Sequence, residues 1–308
     1  MDAHLARDIT KAASAQTYWT IGLLVDRARV DDAYRAYAYF RWLDDSLDAR
    51  PQSGDPWCEA DRTRCRVLLD RQQRLLEGAL RGETVSLVDP AEGMLVDLVR
   101  SAETVDDGLE SYLRHMMDVM EFDVRRRGRL VSRLELDTYT RSLATAVTDA
   151  MHHFIGRCTG HDGLDREMRY LGATGAHVVH MLRDTKADLR AGYINIPREV
   201  LDAGGIGPAD TDSDAYRAWV RDRVALARRC FAEGRAYVRD VRCGRFRLAG
   251  LAYIARFEWL LDAFERDDYR LRADYGSMAA ATALQTGVEA AVRAVRRPGR
   301  RASRWNQA

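Results

Sequence analysis

The 308-residue chain has little of what marks several common classes of protein. Its five cysteines show no C-x-x-C spacing, which argues against a disulfide framework or a zinc site. No run of about 18 apolar residues exists, so we expect no transmembrane segment. The net charge of +1 leaves no overall basic field for nucleic acid. No apolar signal-peptide core follows Met1, and we therefore expect a soluble, cytoplasmic protein.

Proline is also scarce, with six residues, while long stretches repeat apolar residues at the helical period. This pattern predicts an all-α fold. The apolar content of 46% is enough for one large core, and no linker is long enough to suggest a second domain. The predicted helices span 4–26, 31–49, 58–80, 92–101, 107–127, 133–159, 163–190, 197–203, 213–241, 244–265 and 274–294. The arginine-rich segment 298–308 is predicted to be a disordered basic tail.

Two acidic clusters are the most informative feature of the sequence. Asp44 and Asp48 are four residues apart, and so are Asp184 and Asp188. Residues at this spacing lie one turn apart on the same face of a helix, where like charges repel each other. A divalent cation would offset that repulsion, and Mg²⁺ takes carboxylate oxygens together with substrate phosphates. The two pairs therefore predict a Mg²⁺ site that holds a diphosphate leaving group.

Each acidic pair continues a stripe along its predicted helix. Tyr37 and Arg41 precede Asp44 and Asp48 at steps of three and four, and His177 and His180 precede Asp184 and Asp188 in the same way. A solvated face with local ion pairs is the simplest alternative interpretation. A second alternative is a transition-metal site, because H-x-x-H-x-x-x-D supplies three donors.

The motifs resemble those of a known family. Residues 14–19 and 37–48 resemble the first conserved region of the squalene/phytoene synthases, and residues 170–197 resemble the second. Residues 117–123 with Tyr139 resemble the stretch between them, and 260–269 resembles the C-terminal helix. The resemblance implies a single-domain isoprenoid synthase helix bundle over residues 1–297, with a central active-site cavity.

The resemblance also implies roles for particular residues. The four aspartates would hold Mg²⁺ and act in catalysis, while Arg41 and Arg183 would contact the diphosphate with Ser14 nearby. His177 and His180 are further catalytic candidates. The remaining substrate-binding candidates are Tyr37, Asp45, Lys186 and Thr148.

Departures from the family pattern narrow the expected function. His177 and His180 stand where the family usually has Gln and Asn, Phe257 replaces an expected Tyr, and an expected Arg falls near Asp274. Joining two long prenyl diphosphates head to head requires subsites for two anionic head groups and two apolar tails. Several groups that would serve the second prenyl diphosphate are missing from this sequence. The chain most resembles the phytoene-synthase-like branch that prenylates carbazoles with dimethylallyl diphosphate in bacterial secondary metabolism.

The expected function is thus a Mg²⁺-dependent prenyltransferase with two partners, an allylic prenyl diphosphate and a small aromatic acceptor. Three alternatives stay open. They are a head-to-head synthase with altered ligands, a terpene cyclase, and an inactive scaffold that binds isoprenoid diphosphates. The intact aspartate pairs argue against the scaffold, whereas nothing in the sequence firmly excludes the cyclase.

Overall fold

The computed structural model describes residues 3–49, 57–101, 107–156 and 168–275. All regular secondary structure in these ranges is helical, which confirms the all-α prediction. The helices are α1 (Ala3–Ala13), α2 (Ala15–Leu24), α3 (Val30–Asp48), α4 (Glu59–Leu80), α5 (Glu92–Ser101), α6 (Asp107–Arg126), α7 (Arg133–Ile155), α8 (Leu171–Ala191), α9 (Arg198–Gly204), α10 (Asp214–Asp240) and α11 (Gly244–Arg266).

The helix predicted over 4–26 is wrong in one respect, because the structure divides it at Ser14. Ser14 has extended backbone angles, φ −156° and ψ 99°, and its hydroxyl accepts a hydrogen bond from the Thr17 amide. A serine in this role satisfies one of the free N–H groups at the start of a helix. The hydroxyl therefore begins α2 rather than lying within a longer helix.

Other predicted boundaries also shift. Of the helix predicted over 163–190, residues 163–167 lie outside the described residues, Met168–Tyr170 form a 3₁₀ turn, and α8 begins at Leu171. The helix predicted to end at 159 ends at Ile155, before Gly156. Asp274 and Tyr275 are not helical, and the rest of the helix predicted over 274–294 lies outside the described residues, as does the predicted tail 298–308.

Helix α8 lies in the middle of the bundle, in contact with α7, α10 and α11. Its approach to α10 depends on residues without side chains. A Cβ atom on Gly234 would lie 2.6 Å from the amide nitrogen of Gly172, and one on Gly175 would lie 2.8 Å from the Phe231 ring. Larger residues at these positions would push the two helices apart, so the glycines fix the position of α8.

Helix α3 places its acidic pair on the less buried side. Leu43 and Leu47 are buried, whereas the side chains of Asp44 and Asp48 are 43% and 51% exposed. Helix α8 shows the same division, since Val179 and Leu182 are buried and Asp184 is partly exposed. Both helices thus bury an apolar face and leave carboxylates accessible.

A groove of about 360 Å³, here called the outer groove, lies between α7, α8, α9 and α10. Leu136, Met181 and Trp219 line it together with Asn195 and Arg223. None of the helices in the described ranges combines the length and the apolar character that a bilayer crossing requires.

Candidate active site

The first acidic pair lies beside a surface arginine. Arg41 Nε donates to Asp45 Oδ2 at 3.0 Å, and its Nη1 lies 3.5 Å from Asp44 Oδ2. These residues occupy one face of α3 and are partly exposed. Arg41 can therefore reorient toward an incoming anion, because its ion pair with Asp45 is solvent-accessible and contributes little to stability.

Asp48 is held from the opposite side by the chain that follows α6 and α8. Arg127 Nη1 donates to Asp48 Oδ1 at 3.1 Å, and the Tyr193 hydroxyl donates to the same oxygen at 3.0 Å. The Arg127 side chain is only 4% exposed, and its guanidinium lies 4.1 Å from the Trp57 ring centroid. Arg127 and Tyr193 thus connect the C-terminal end of α3 to that of α8.

The second acidic pair has separate partners. Arg183 makes two hydrogen bonds to Asp184, at 2.8 and 2.6 Å. Asn195 Nδ2 donates to Asp188 Oδ2 at 2.6 Å, and Arg126 Nη1 in turn donates to Asn195 Oδ1 at 2.8 Å. The Asp188 carboxylate is therefore oriented through an amide and a buried arginine.

Asp123 on α6 links the two pairs electrostatically. Arg126 Nε donates to Asp123 Oδ1 at 2.6 Å, and the Tyr139 hydroxyl donates to Oδ2 at 2.9 Å. Burial raises the pKa of Asp123 despite these partners. The Asp123 charge also contributes to raising the pKa of Asp44 on α3 and of Asp188 on α8. Both pairs therefore face a common space beside Asp123.

Two of the predicted metal ligands are difficult to ionise. Burial, followed by repulsion from Asp48, raises the pKa of Asp44 to about 6. Burial likewise raises the pKa of Asp188 to about 6, and the negative charge of Asp184 adds to the shift. Ionising these two carboxyl groups therefore costs free energy in the folded chain, and a divalent cation bound beside them would lower that cost.

The two histidines lie above the second pair on α8. His177 is 5% exposed, its ring lies 4.9 Å from the Tyr139 ring, and its Nε2 has no hydrogen-bond partner among the described residues. Burial lowers the pKa of His177 to about 3 and that of His180 to about 4, with neighbouring positive charges adding to both shifts. Both imidazoles are therefore neutral at pH 7.

Helix α11 completes the wall beside His180. The Phe257 ring lies 5.4 Å from the His180 ring in an edge-to-face arrangement, and the Tyr253 ring packs on Phe257 at 5.4 Å. The Arg256 guanidinium lies 5.4 Å from the Phe257 centroid. Tyr37 of α3 interacts electrostatically with Arg256, which brings α3 and α11 to the same region.

Three residues predicted to bind substrate make their contacts elsewhere. The Ser14 hydroxyl caps α2, and Thr17 Oγ1 donates to it at 2.9 Å. Lys186 Nζ lies 3.8 Å from Asp212 Oδ1. Thr148 is buried on α7. These contacts do not connect the three side chains to the acidic pairs, and their predicted roles stay predictions.

The profile of one family, "Squalene/phytoene synthase", matches residues 10–285. The chain belongs to the squalene/phytoene synthase family. Its structure resembles that of squalene synthase HpnC from Alicyclobacillus acidocaldarius, with 22% identity, a TM-score of 0.65, and coverage of 88% of this chain and 95% of that one. It also resembles a dehydrosqualene synthase solved with a ligand, with 15% identity, a TM-score of 0.71, and coverage of 94% and 95%.

A search of the curated proteins returned no match. At these identities the two structural neighbours establish the fold, which is the predicted isoprenoid synthase helix bundle. Squalene/phytoene synthases are transferases that use prenyl diphosphates, so this chain is assigned to a family of prenyltransferase-type enzymes.

Several site residues were not singled out from the sequence. Arg126 and Arg127 belong to a run of three arginines whose composition alone suggests a solvated surface. Tyr193 and Asn195 lie inside the second motif, in Y-I-N-I-P, which was a usable signal. No sequence motif marks Arg256 as a site residue, because only the packing of α11 against α8 brings it near His180.

The four aspartates fit Mg²⁺ in chemistry, since all their donors are hard carboxylate oxygens. Within the described part of the chain, however, no three His, Cys, Asp or Glu side chains group closely enough to hold a metal ion. Each carboxylate instead turns toward an arginine or amide, as Asp184 does toward Arg183 and Asp188 toward Asn195. A bound Mg²⁺ would have to compete with these hydrogen bonds.

Proposed function

We propose that this member of the family is a Mg²⁺-dependent prenyltransferase with one donor and one aromatic acceptor. The donor is a short allylic prenyl diphosphate such as dimethylallyl diphosphate, and the acceptor is a small aromatic ring system such as a carbazole. The observation that supports this choice is the buried His177, whose Nε2 has no hydrogen-bond partner in the part of the chain that the structure describes. A buried polar atom left in this state costs about 1–3 kcal/mol, and a polar acceptor would remove that cost.

At the donor end, Asp44 and Asp48 on α3 and Asp184 and Asp188 on α8 would hold the metal. Bound there, Mg²⁺ would neutralise negative charge as it develops on the leaving diphosphate. Asp123 would stay hydrogen-bonded to Tyr139, and its carboxylate would add to the negative potential at Asp44 and Asp188.

The arginines of the two acidic clusters would bind phosphate oxygens directly. Arg41 and Arg183 each hold a neighbouring carboxylate through the same forked geometry that suits a phosphate group. Binding of the diphosphate would exchange those carboxylates for phosphate oxygens and free Asp184 for the metal. The allylic C–O bond then breaks, and its electron pair leaves with the diphosphate.

The allylic cation would form against an aromatic wall. Tyr139 and Phe257 present rings beside the histidines, and Tyr37 interacts with the nearby Arg256. Aromatic faces stabilise cations while they exclude water. The electron-rich acceptor ring attacks this cation and forms the new bond. The alkylated ring is then a positively charged strong acid that must lose one proton.

The histidines would serve the acceptor. Both are neutral at pH 7 because burial lowers the pKa of each, so each keeps one lone pair that can accept a proton. Even a weak base suffices for the strongly acidic alkylated ring. His180, which is less buried than His177, is the better placed of the two to pass the proton on.

Head-to-head coupling is a second candidate, and the family match favours it as well as it favours prenylation of an aromatic. The two structural neighbours are a squalene synthase and a dehydrosqualene synthase by their names. In that reaction both substrates would be prenyl diphosphates. The Nε2 atom of His177, which has no partner among the described residues, would then face an apolar chain and stay without one.

A substrate matrix separates the two candidates. Dimethylallyl, geranyl, farnesyl and geranylgeranyl diphosphate are each incubated with Mg²⁺, with and without a hydroxylated carbazole or indole, and both diphosphate and organic products are measured. We expect product from a short donor only when the aromatic compound is present. A C30 or C40 hydrocarbon formed from the C15 or C20 donor alone would reject the proposal.

A double variant provides the matched control. His177→Gln with His180→Asn keeps hydrogen-bonding side chains and restores the residue types that the resemblance leads us to expect. We expect it to lose transfer to the aromatic compound while retaining diphosphate binding. Unchanged aromatic transfer in this variant would remove the histidines from the proposed mechanism.

A further inference from the structure

Most arginines around the site already have a carboxylate partner. The ion pairs are Arg41 with Asp45, Arg126 with Asp123, Arg127 with Asp48, and Arg183 with Asp184. Arg256 on α11 differs. Among the described residues it forms neither an ion pair nor a hydrogen bond, and its one specific contact is the Phe257 ring at 5.4 Å.

The position of Arg256 is next to the proposed donor site. Phe257, its neighbour in the chain, packs edge-to-face on His180, which lies one turn before Asp184 on α8. Arg256 interacts electrostatically with Arg183 of the same turn and with Tyr37 of α3. Three helices thus converge on one half-buried guanidinium.

The charge balance around Arg256 is unfavourable without a ligand. Burial lowers the pKa of Arg256, and repulsion from the Arg183 cation lowers it further. Two arginines that repel each other at a partly buried site are stabilised by an anion bound between them. Arg183 has Asp184 as a counterion, so the missing negative charge is on the side of Arg256.

We infer that Arg256 and Arg183 together bind phosphate oxygens of the donor, with Arg256 as a diphosphate-binding residue contributed by α11. The inference rests on the proposed function, because it assumes that the diphosphate of a prenyl donor binds at the acidic pair next to His180. It adds a contact from a helix that carries no acidic pair. The fork of the guanidinium suits two oxygens of one phosphate group.

Binding of inorganic diphosphate in saturating Mg²⁺, measured by isothermal titration calorimetry, tests the inference without turnover. The variants are Arg256→Gln, Arg256→Lys, and the control Arg223→Gln. Arg223 is a suitable control because it is also half-buried without a described ion pair, and burial lowers its pKa as well. It lines the groove between α7, α9 and α10, and it makes no hydrogen bond or ion pair with Arg183, Asp184 or Asp188 among the described residues.

We expect Arg256→Gln to raise the Kd for diphosphate about tenfold or more, which corresponds to about 1.4 kcal/mol per factor of ten. Arg256→Lys should lie between wild type and Arg256→Gln, and Arg223→Gln should match wild type. Melting curves without ligand give a second readout. Arg256→Gln should melt no lower than wild type, because it removes an uncompensated charge.

A Kd in Arg256→Gln equal to that of wild type would overturn the inference, whether or not the variant is less stable. That result would leave the proposed function intact if wild type still binds diphosphate and consumes a donor. If wild type neither binds diphosphate nor releases it from any donor in the substrate matrix, the proposed function fails and the inference fails with it.

Discussion

Replacing Asp44 with Asn should stabilise the metal-free protein while it abolishes diphosphate release. Asp44 has a pKa of about 6 in the folded chain against an ordinary value of 3.8. The folded state therefore binds a proton at this carboxylate more tightly than the unfolded state does. Stability from this group is fully present below about pH 4 and is lost as the pH rises through 6.

The size of the stabilisation by Asp44→Asn can be worked out from the raised pKa of Asp44 and from the exposure of its side chain. The difference between a pKa of about 6 and the ordinary value of 3.8 corresponds to at most about 3 kcal/mol of unfolding free energy. The side chain of Asp44 is 43% exposed, so solvent screening reduces this to about 1 kcal/mol. Loss of the 3.5 Å ion pair to Arg41 removes a few tenths more. We expect Asp44→Asn to raise the melting temperature by about 1–2 °C at pH 8.

The assay is thermal unfolding in EDTA at pH 5, 6, 7 and 8. The stabilisation by Asp44→Asn should be largest at pH 7–8 and should shrink toward pH 5, where wild type is itself partly protonated. Asp45→Asn is the matched control, because the neighbouring carboxylate is exposed and already paired with Arg41. If both variants lower the melting temperature alike at every pH, Asp44 is not in a strained acidic environment and this reasoning is wrong.

Three further substitutions have distinct expected results. Asp184→Asn should nearly abolish diphosphate release because it removes a proposed metal ligand, and a coupled phosphate assay measures this; release above a tenth of wild type would contradict it. His180→Ala should reduce acceptor turnover far more than donor affinity, and an equal loss of both would mark His180 as a metal ligand instead. Glu92→Ala should lower unfolding stability by about 3–5 kcal/mol in denaturant titrations, since Glu92 is buried and holds Arg71 at 2.6 Å; a change below 1 kcal/mol would disagree.

The acidic pairs could be predicted from the sequence because the signal is local. Four-residue spacing within one helix places Asp44 with Asp48, and Asp184 with Asp188, whatever the rest of the chain does. Most helices could be predicted for the same reason, because the spacing of apolar residues within a segment is enough to indicate a helix. One error inside a long segment was at Ser14, where a three-residue capping interaction ends one helix and starts another, and a second was the 3₁₀ turn at Met168–Tyr170.

The partners of the carboxylates depended on long-range packing and could not be predicted in the same way. Arg127 reaches Asp48 from 79 residues away, and Tyr193 reaches the same oxygen from 145 residues away. Such pairs depend on the angles at which helices cross. The spacing of the aspartates indicates that they share a face, but not which cation or amide competes for each of them.

The side chain of Asn195 connects the acidic pair on α8 with the outer groove. Its amide nitrogen donates to Asp188 and to the Met181 carbonyl, while Asn195 and Met181 also line the outer groove. A displacement of Asn195 by one bond length would break the hydrogen bond that orients Asp188. Substitutions at Met181 or Asn195 would therefore alter the orientation of Asp188 through this one amide group.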